Sequence, residues 1–370
     1  MRKIFITIKF LCIISMLFPC LINGQNKTIS IQTVRTVDFG MTTIYYGKDG
    51  AVLNGKYKIA ERHGSYNEAT YVDGKRHGIS NYYDDLGNLT SKASFKNGLP
   101  DGTTTSFYQD GKIASIYRWK EGKLHGKIEN YNSKGDLTRT ESYKLGQKDG
   151  TWVHHTRSPQ QNDRKATTTE HYKDGKPIGN WLEAWENGDK IQTKDYIGPE
   201  EYIEKEYYSN GKIEALKTYK SYKLHGLVGY YYKSGKKMNV REYIADVKVK
   251  EKKYYENGTL GFSCSYNKMG EHGKEESYNA DGQKTRIVNY TNGEKDGIEY
   301  RYYDNGKLEI EREYENGTQH GAYKEYYENG KPKRTGEFLN GRKNGTWKEY
   351  NINGNIQKEI FYKSGNVVSQ

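Results

Sequence analysis

Along most of this chain, aromatic and β-branched side chains fall at alternate positions in runs of seven or eight residues, and each run ends at a glycine-centred turn. A period of two puts one set of side chains on one face of a strand, and short turns between such runs make neighbouring strands antiparallel. From Tyr323 to Gly330 the run Tyr-Lys-Glu-Tyr-Tyr-Glu closes on Asn-Gly, a strong short-range hairpin signal. Two turns recur in every unit of about 24 residues, so each unit reads as one β-hairpin. Helix is a poor competitor, because glycine interrupts every candidate window within about ten residues and the 3.6 period is absent.

One aromatic position keeps the phase throughout: Tyr71, Phe95, Trp119, Tyr143, Tyr172, Tyr196, Tyr219, Tyr243, Tyr266, Tyr290, Tyr314, Phe338 and Tyr362. A second series follows twelve residues later, at Tyr83, Phe107, Tyr131, Tyr208, Tyr231, Tyr255, Tyr278, Tyr302, Tyr326 and Tyr350, with gaps at His155 and Ala184. Between them lies a glycine pair spaced by four, as in Gly98 and Gly102 or Gly317 and Gly321, which reads as turn punctuation. The expected fold is all-β: an elongated array of about thirteen antiparallel hairpins, a β-meander solenoid. Its core is expected to be a ladder of the first aromatic series, and that ladder, not any charged cluster, is expected to carry stability.

Composition alone points elsewhere. Mean hydropathy is −1.04, a value typical of disordered chains. The 36 Tyr and 41 Gly stand in register, however, and a tyrosine buries a large ring while its hydroxyl stays wet, which suits a core one layer deep.

The first two dozen residues differ from the rest. Arg2 and Lys3 precede an apolar run from Ile4 to Ile22, which reads as a signal peptide over residues 1–24 and implies export to the periplasm, the cell surface or the medium. An uncleaved anchor and lipidation at Cys20 are the competing readings. Residues 25–62 lack the full unit and read as an N-terminal cap, with a first hairpin over Thr42 to Gly50, and residues 63–370 form the array. Three departures interrupt it. The hairpin after Trp152 carries about five extra residues between Thr156 and Lys165, with Pro159 inside, and is expected to protrude as a loop. The units starting at Gly188 and Gly235 are one residue shorter and lack the glycine pair, and a bend is expected in each.

The search for chemistry returns little. His77, His125, His225, His272 and His320 share a slot that other units fill with Asp101, Asp149, Asp296 or Asn344. That interchange marks a turn role, and a separation of about 10 Å between units is too wide to share an ion. His154, His155 and His171 have no metal-ligand spacing, so no metal and no cofactor are expected. No phosphate loop, dinucleotide fingerprint or nucleophile elbow occurs, and the chain reads as a non-enzyme. Glu325, Glu328 and Glu349 recur singly on what reads as a solvated Lys/Glu face. Net charge is +12, falling to about +9 without Arg2, Lys3 and Lys9. Interleaved acids and export argue against nucleic acid; an anionic envelope polymer or lipid headgroups suit the basic excess better.

The motif Tyr-x-Asn-Gly-x-x-His-Gly, at Tyr314 to Gly321, resembles the MORN repeat, and Tyr-Tyr-x-Asn-Gly-Lys-Leu at Tyr302 to Leu308 looks like the bacterial MORN-repeat variant, an antitoxin-like family. The resemblance runs over roughly residues 63–365. It implies protein or membrane association and, for some members, neutralisation of a toxin. The leading expectation is therefore a noncatalytic exported scaffold that binds a protein partner or an envelope component along its β surface. An antitoxin or immunity-type protein and a carbohydrate-active groove are the alternatives. A repeat abandons its pattern where something else is gained or loss is tolerated, which makes Thr156, Pro159, Lys165, Ile197, Glu204, Ile244 and Glu251 the candidate binding region.

Overall fold

The computed structural model describes residues 27–158, 164–267 and 272–368. The leader, including Cys20, and Pro159 lie outside them. The chain divides into two units, Met1–Asp136 and Leu137–Gln370. Each is an all-β sheet of antiparallel hairpins in which strands pair with their neighbours in sequence.

The first unit opens on a cap. Strand Lys27–Ser30 runs parallel to Gly55–Ala60, with Ile29 opposite Ile59, and so covers the edge of the hairpin that Gly55–Ala60 makes with Tyr66–Val72. Leu53, Ile59, Ala69 and Tyr71 form a buried cluster against Ile29, Ile31, Val34, Tyr45 and Tyr57. The first hairpin lies one strand earlier than expected. Thr42–Tyr46 pairs back onto Arg35–Phe39, whereas Gly47 to Ala51 closes a turn joined by the single bridge Tyr46 to Val52.

Two turn types alternate. Among the described residues, the turn after every ladder aromatic but Tyr196 and Tyr266 has two residues at positive φ, for example Asn316 at 45° and Gly317 at 78°, the geometry whose twist matches that of the strands. These turns stack. The Gly317 N–H donates to the Lys295 carbonyl at 2.8 Å and the Gly341 N–H to the Gln319 carbonyl at 2.8 Å, each one unit earlier. The opposite turn, as in Tyr303 to Lys307, closes with the Gly306 N–H on the Tyr303 carbonyl and the Tyr303 N–H on the Lys307 carbonyl, both at 2.9 Å. Here Gly306 (φ 78°) supplies the left-handed bulge residue.

Each residue of the Tyr-x-Asn-Gly-Lys motif has a bond that explains it. The Tyr327 hydroxyl donates to the Tyr350 carbonyl at 2.8 Å, Asn329 Nδ2 to the Ile352 carbonyl at 3.0 Å, and Lys331 Nζ to the Asn353 carbonyl at 2.9 Å, all on the next turn. Asn329 Oδ1 also accepts the Lys331 N–H at 2.9 Å. The motif is thus a clamp between units. Asn329→Ala removes both bonds and is expected to cost about 1 to 2 kcal/mol, read as a lowered urea midpoint at unchanged slope.

The second glycine of each pair is not turn punctuation. It sits four residues on, inside the strand, at a bulge: Trp119 faces Leu124 and Ile116 faces Glu129, so three steps on one strand match five on the other. Gly126 at φ 93° takes up the excess. Where the pair is missing the bulge shrinks or disappears: from Tyr243 opposite Lys248 to Arg241 opposite Glu251 two steps match three. Tyr196 faces Tyr202 and Lys194 faces Glu204, step for step, which accounts for the shorter unit. The other short unit keeps the stacked turn without glycine. Ala245 and Asp246 hold φ at 48° and 70°, the Asp246 N–H reaches the Leu224 carbonyl at 2.9 Å, and Asp246 Oδ1 accepts the Leu224 N–H at 2.8 Å.

Pairing also corrects the second aromatic series. Tyr207 and Tyr254 face Ile213 and Leu260 just as Tyr302 faces Leu308. Tyr208 and Tyr255 are turn tyrosines, bonded to the Tyr231 and Tyr278 carbonyls at 2.7 and 2.9 Å. Of the stretch after Trp152 expected to protrude, the described residues lengthen the two strands, and 159–163 lie outside the described residues. Pairing runs from Gly150 opposite Tyr172 to Ser158 opposite Arg164, with Thr156 opposite Ala166 and Lys165 opposite Arg157.

Candidate functional site

Within a strand, a ladder residue shares its face with the residue two positions before it, so the aromatic series fixes a second row beside it. The ladder itself is interleaved rather than aromatic upon aromatic. Across the turn Tyr143 faces Lys148, Tyr266 faces His272, Tyr290 faces Lys295 and Phe338 faces Lys343. Those partners fill the gap to the neighbouring rings: Lys148 Nζ lies 4.0 Å from the Trp152 ring and 4.4 Å from that of Tyr172, and His272 lies 5.0 and 5.3 Å from the rings of Tyr266 and Tyr290. A lysine stem laid over two rings buries its methylenes and keeps a cation on the π face. From Tyr143 to Tyr219 the ring contacts are unbroken, through Trp152, Tyr172, Trp181, Tyr196 and Tyr202. Tyr71 and Tyr172 are buried and the other ladder positions half-buried. Burial pushes the Tyr71 and Tyr196 hydroxyls up to about 12, so both stay protonated donors.

The second row in Leu137–Gln370 was not foreseen. Its pairings are Trp181 to Lys194, Lys194 to Glu204, Glu204 to Lys217, Lys217 to Val228, Val228 to Arg241 and Arg241 to Glu251. They continue from Glu251 to Cys264, Cys264 to Glu275, Glu275 to Val288, Glu299 to Arg312 and Arg312 to Tyr323. Trp152 and Trp347, towards its two ends, are buried; between Trp181 and Tyr323 the row consists of acids, cations and small apolar residues. Glu299 is 1% exposed, yet it binds Arg286 Nε at 2.7 Å, Arg312 at 2.9 Å and Lys295 Nζ at 3.2 Å. Glu251 accepts from Arg241 Nε at 3.1 Å, Lys248 Nζ at 2.9 Å, Asn239 Nδ2 at 2.9 Å and the Tyr266 hydroxyl at 3.0 Å. Glu204 lies 3.3 and 3.4 Å from Lys194 and Lys217.

These three acids therefore lie apart from the solvated face expected for Glu325, Glu328 and Glu349, and the ionic row is expected to share with the ladder in carrying stability. Burial alone raises a carboxyl, but four donors outweigh it at Glu251 and hold its acidity at about 2, below the ordinary 4.5. Glu299 is lowered as well, against burial, by Arg286, Arg312 and Lys295. A carboxyl depressed in the folded state stabilises it fully above its unfolded value and loses that contribution as pH falls towards the folded one. The urea midpoint should be flat from about pH 7 to 5 and should fall between 4.5 and about 2. Glu251→Gln should make that fall shallower.

The candidate binding region separates into two kinds of residue. Glu204 and Glu251 belong to the buried ionic row. Ile197 is 69% exposed and Ile244 55% exposed, each beside the turn of a unit lacking the full bulge, with Tyr222 and Leu227 also exposed nearby in the chain. Thr156 and Lys165 are exposed on the long hairpin. Of the three histidines near it, His155 bonds Thr167 Oγ1 at 3.0 Å and His171 bonds Thr151 Oγ1 at 3.1 Å. Among the described residues no three His, Cys, Asp or Glu side chains converge as a metal site, and no helix is long and apolar enough to cross a membrane.

Stacked turns, an interleaved ladder and a cross-strand row define a repeat protein of β-hairpins. The profile of the MORN repeat variant matches residues 76–97, 100–121, 203–221, 271–292, 295–316, 319–340 and 343–364. Five of these seven stretches run from the residue facing one ladder aromatic to the first residue of the next stacked turn. The unmatched stretches contain the long hairpin and the Ala245-Asp246 turn. No curated protein matches the chain. Among solved structures it is similar to a TcdB2-TccC3 crystal structure (13% identity, TM-score 0.18), covering 87% of this chain but only 18% of that one. It is also similar to a eukaryotic initiation factor (9% identity, TM-score 0.14), over 89% of this chain and 85% of that one. A third similarity is to alternansucrase in complex with isomaltononaose (14% identity, TM-score 0.13), over 80% and 20%.

Proposed function

We propose that this protein is a noncatalytic, exported repeat scaffold that holds a protein partner along the middle of the Leu137–Gln370 unit. The observation that carries this reading is the exposure of Ile197 and Ile244, large apolar side chains placed where two units have given up the repeat pattern. Exposed apolar groups that serve no packing need are the usual core of a binding patch. Lysines rim it: Lys220 and Lys223 flank the intervening turn and are exposed. Export rests on the basic start and apolar run of the leader. The test is capture from an envelope extract by the full chain. Ile197→Asp together with Ile244→Asp should abolish capture while the thermal midpoint holds, since neither side chain is buried. Undiminished capture by the double variant would overturn the assignment of this surface.

A further inference from the structure

One cavity lies beside the ionic row. It encloses about 430 Å³, within the range of small-ligand sites, and is lined by Tyr230, Tyr232 and Tyr254 together with Asn239, Arg241 and Lys253. Two positions before the ionic row the strands vary, with Arg286, Arg334 or Lys358 on some and Ala215, Gln192 or Ile310 on others; here the place is taken by Asn239, which faces Tyr230 and Lys253.

The polar groups at this cavity are unequally satisfied. Asn239 Nδ2 is committed to Glu251 at 2.9 Å, but its Oδ1 is buried without a hydrogen-bond partner, and a buried acceptor left unmade is costly. Arg241 uses Nε on Glu251 while its guanidinium lies 5.4 Å from the Tyr230 ring centre. Lys253 rests over the Phe262 ring at 4.9 Å, and among the described residues no carboxylate pairs with it. The cavity thus offers tyrosine walls, an acceptor in need of a hydroxyl, and a cation in need of an anion.

We propose that this cavity binds one carboxylate-bearing sugar ring, a hexuronic acid residue of an acidic polysaccharide. The ring's C–H face packs on tyrosine, a ring hydroxyl donates to Asn239 Oδ1, and the carboxylate meets Lys253. This deepens the scaffold reading and rests on it for the extracellular setting; Asn239 and Arg241 share the strand Lys237–Ile244 with Ile244 but lie at alternate positions to it.

The test uses the full chain with trigalacturonate and maltotriose as probes, by calorimetric titration. Trigalacturonate should bind at least about tenfold more tightly than maltotriose. Asn239→Arg, which puts a long side chain into the space as on the strands of Arg286 and Arg334, should lower trigalacturonate affinity by about tenfold or more, and Lys253→Ser should abolish the preference for the acid. Circular dichroism checks that each variant folds, and the exposed Lys253 site keeps the test decisive if Asn239→Arg does not. Equal affinity for the two sugars, no heat at millimolar trigalacturonate, or unchanged binding by a folded Asn239→Arg would overturn the proposal. Protein capture by Asn239→Arg separates the two readings: retained capture leaves the scaffold standing whatever the sugar does.

Discussion

Glu299→Ala is expected to destabilise the Leu137–Gln370 unit by about 3 to 5 kcal/mol, the cost of breaking a buried ion cluster from one side. The carboxylate is almost wholly excluded from water and is the anion shared by Arg286, Lys295 and Arg312. Its removal leaves three cations crowded around a void, and Coulomb repulsion replaces attraction at short range. Lys324, exposed enough to reach water and paired only with Glu311 at 3.2 Å, provides the contrast: Lys324→Ala should move the midpoint by no more than about 0.5 kcal/mol. Urea unfolding of both variants decides, and equal shifts would mean that Glu299 is as well solvated as a surface acid.

The second large effect is at the C-terminal end of the same row. Trp347 is 3% exposed, with ring centres of Phe338, Tyr323 and Tyr362 at 5.1, 5.4 and 6.3 Å and Lys343 Nζ over it at 4.3 Å. Its indole N–H donates to the Glu337 carbonyl at 3.1 Å, so the polar atom is satisfied. Trp347→Ala is expected to cost about 3 to 5 kcal/mol. A strand spacing away Gly336 offers no side chain to collapse into the space, because its Cβ position is occupied by the indole itself. Trp347→Phe should recover part of the loss, and far-ultraviolet dichroism as the readout avoids dependence on the deleted fluorophore.

Much of the fold was legible in the sequence because two signals agreed. Alternation set the strands, and Asn-Gly and Tyr-x-Asn-Gly-Lys set the turns; the second of these motifs is written in the clamp bonds of Tyr327, Asn329 and Lys331. Glycine itself was ambiguous. Gly98 in a turn and Gly102 in a bulge both hold positive φ, and a string of letters does not distinguish the two roles. The ionic row was hidden for a different reason. Glu and Lys in alternation on a strand are the mark of a wet face, and only the phase of Glu251, Glu275 and Glu299, 24 residues apart and on strands adjacent to those of the ladder tyrosines, signalled otherwise. Likewise the short units were visible as missing residues, but that their loss removes a bulge and leaves Ile197 exposed follows from pairing alone.

The central claim is that a row of buried ion pairs, set beside an interleaved aromatic ladder, holds successive hairpins of Leu137–Gln370 together where a thicker protein would use an apolar core. A double-mutant cycle between Glu299 and Arg312, read by urea unfolding, tests it most directly. With Glu299→Gln and Arg312→Met as the single changes, the account predicts a favourable coupling of at least about 1 kcal/mol. Additive losses, with coupling indistinguishable from zero, would contradict it.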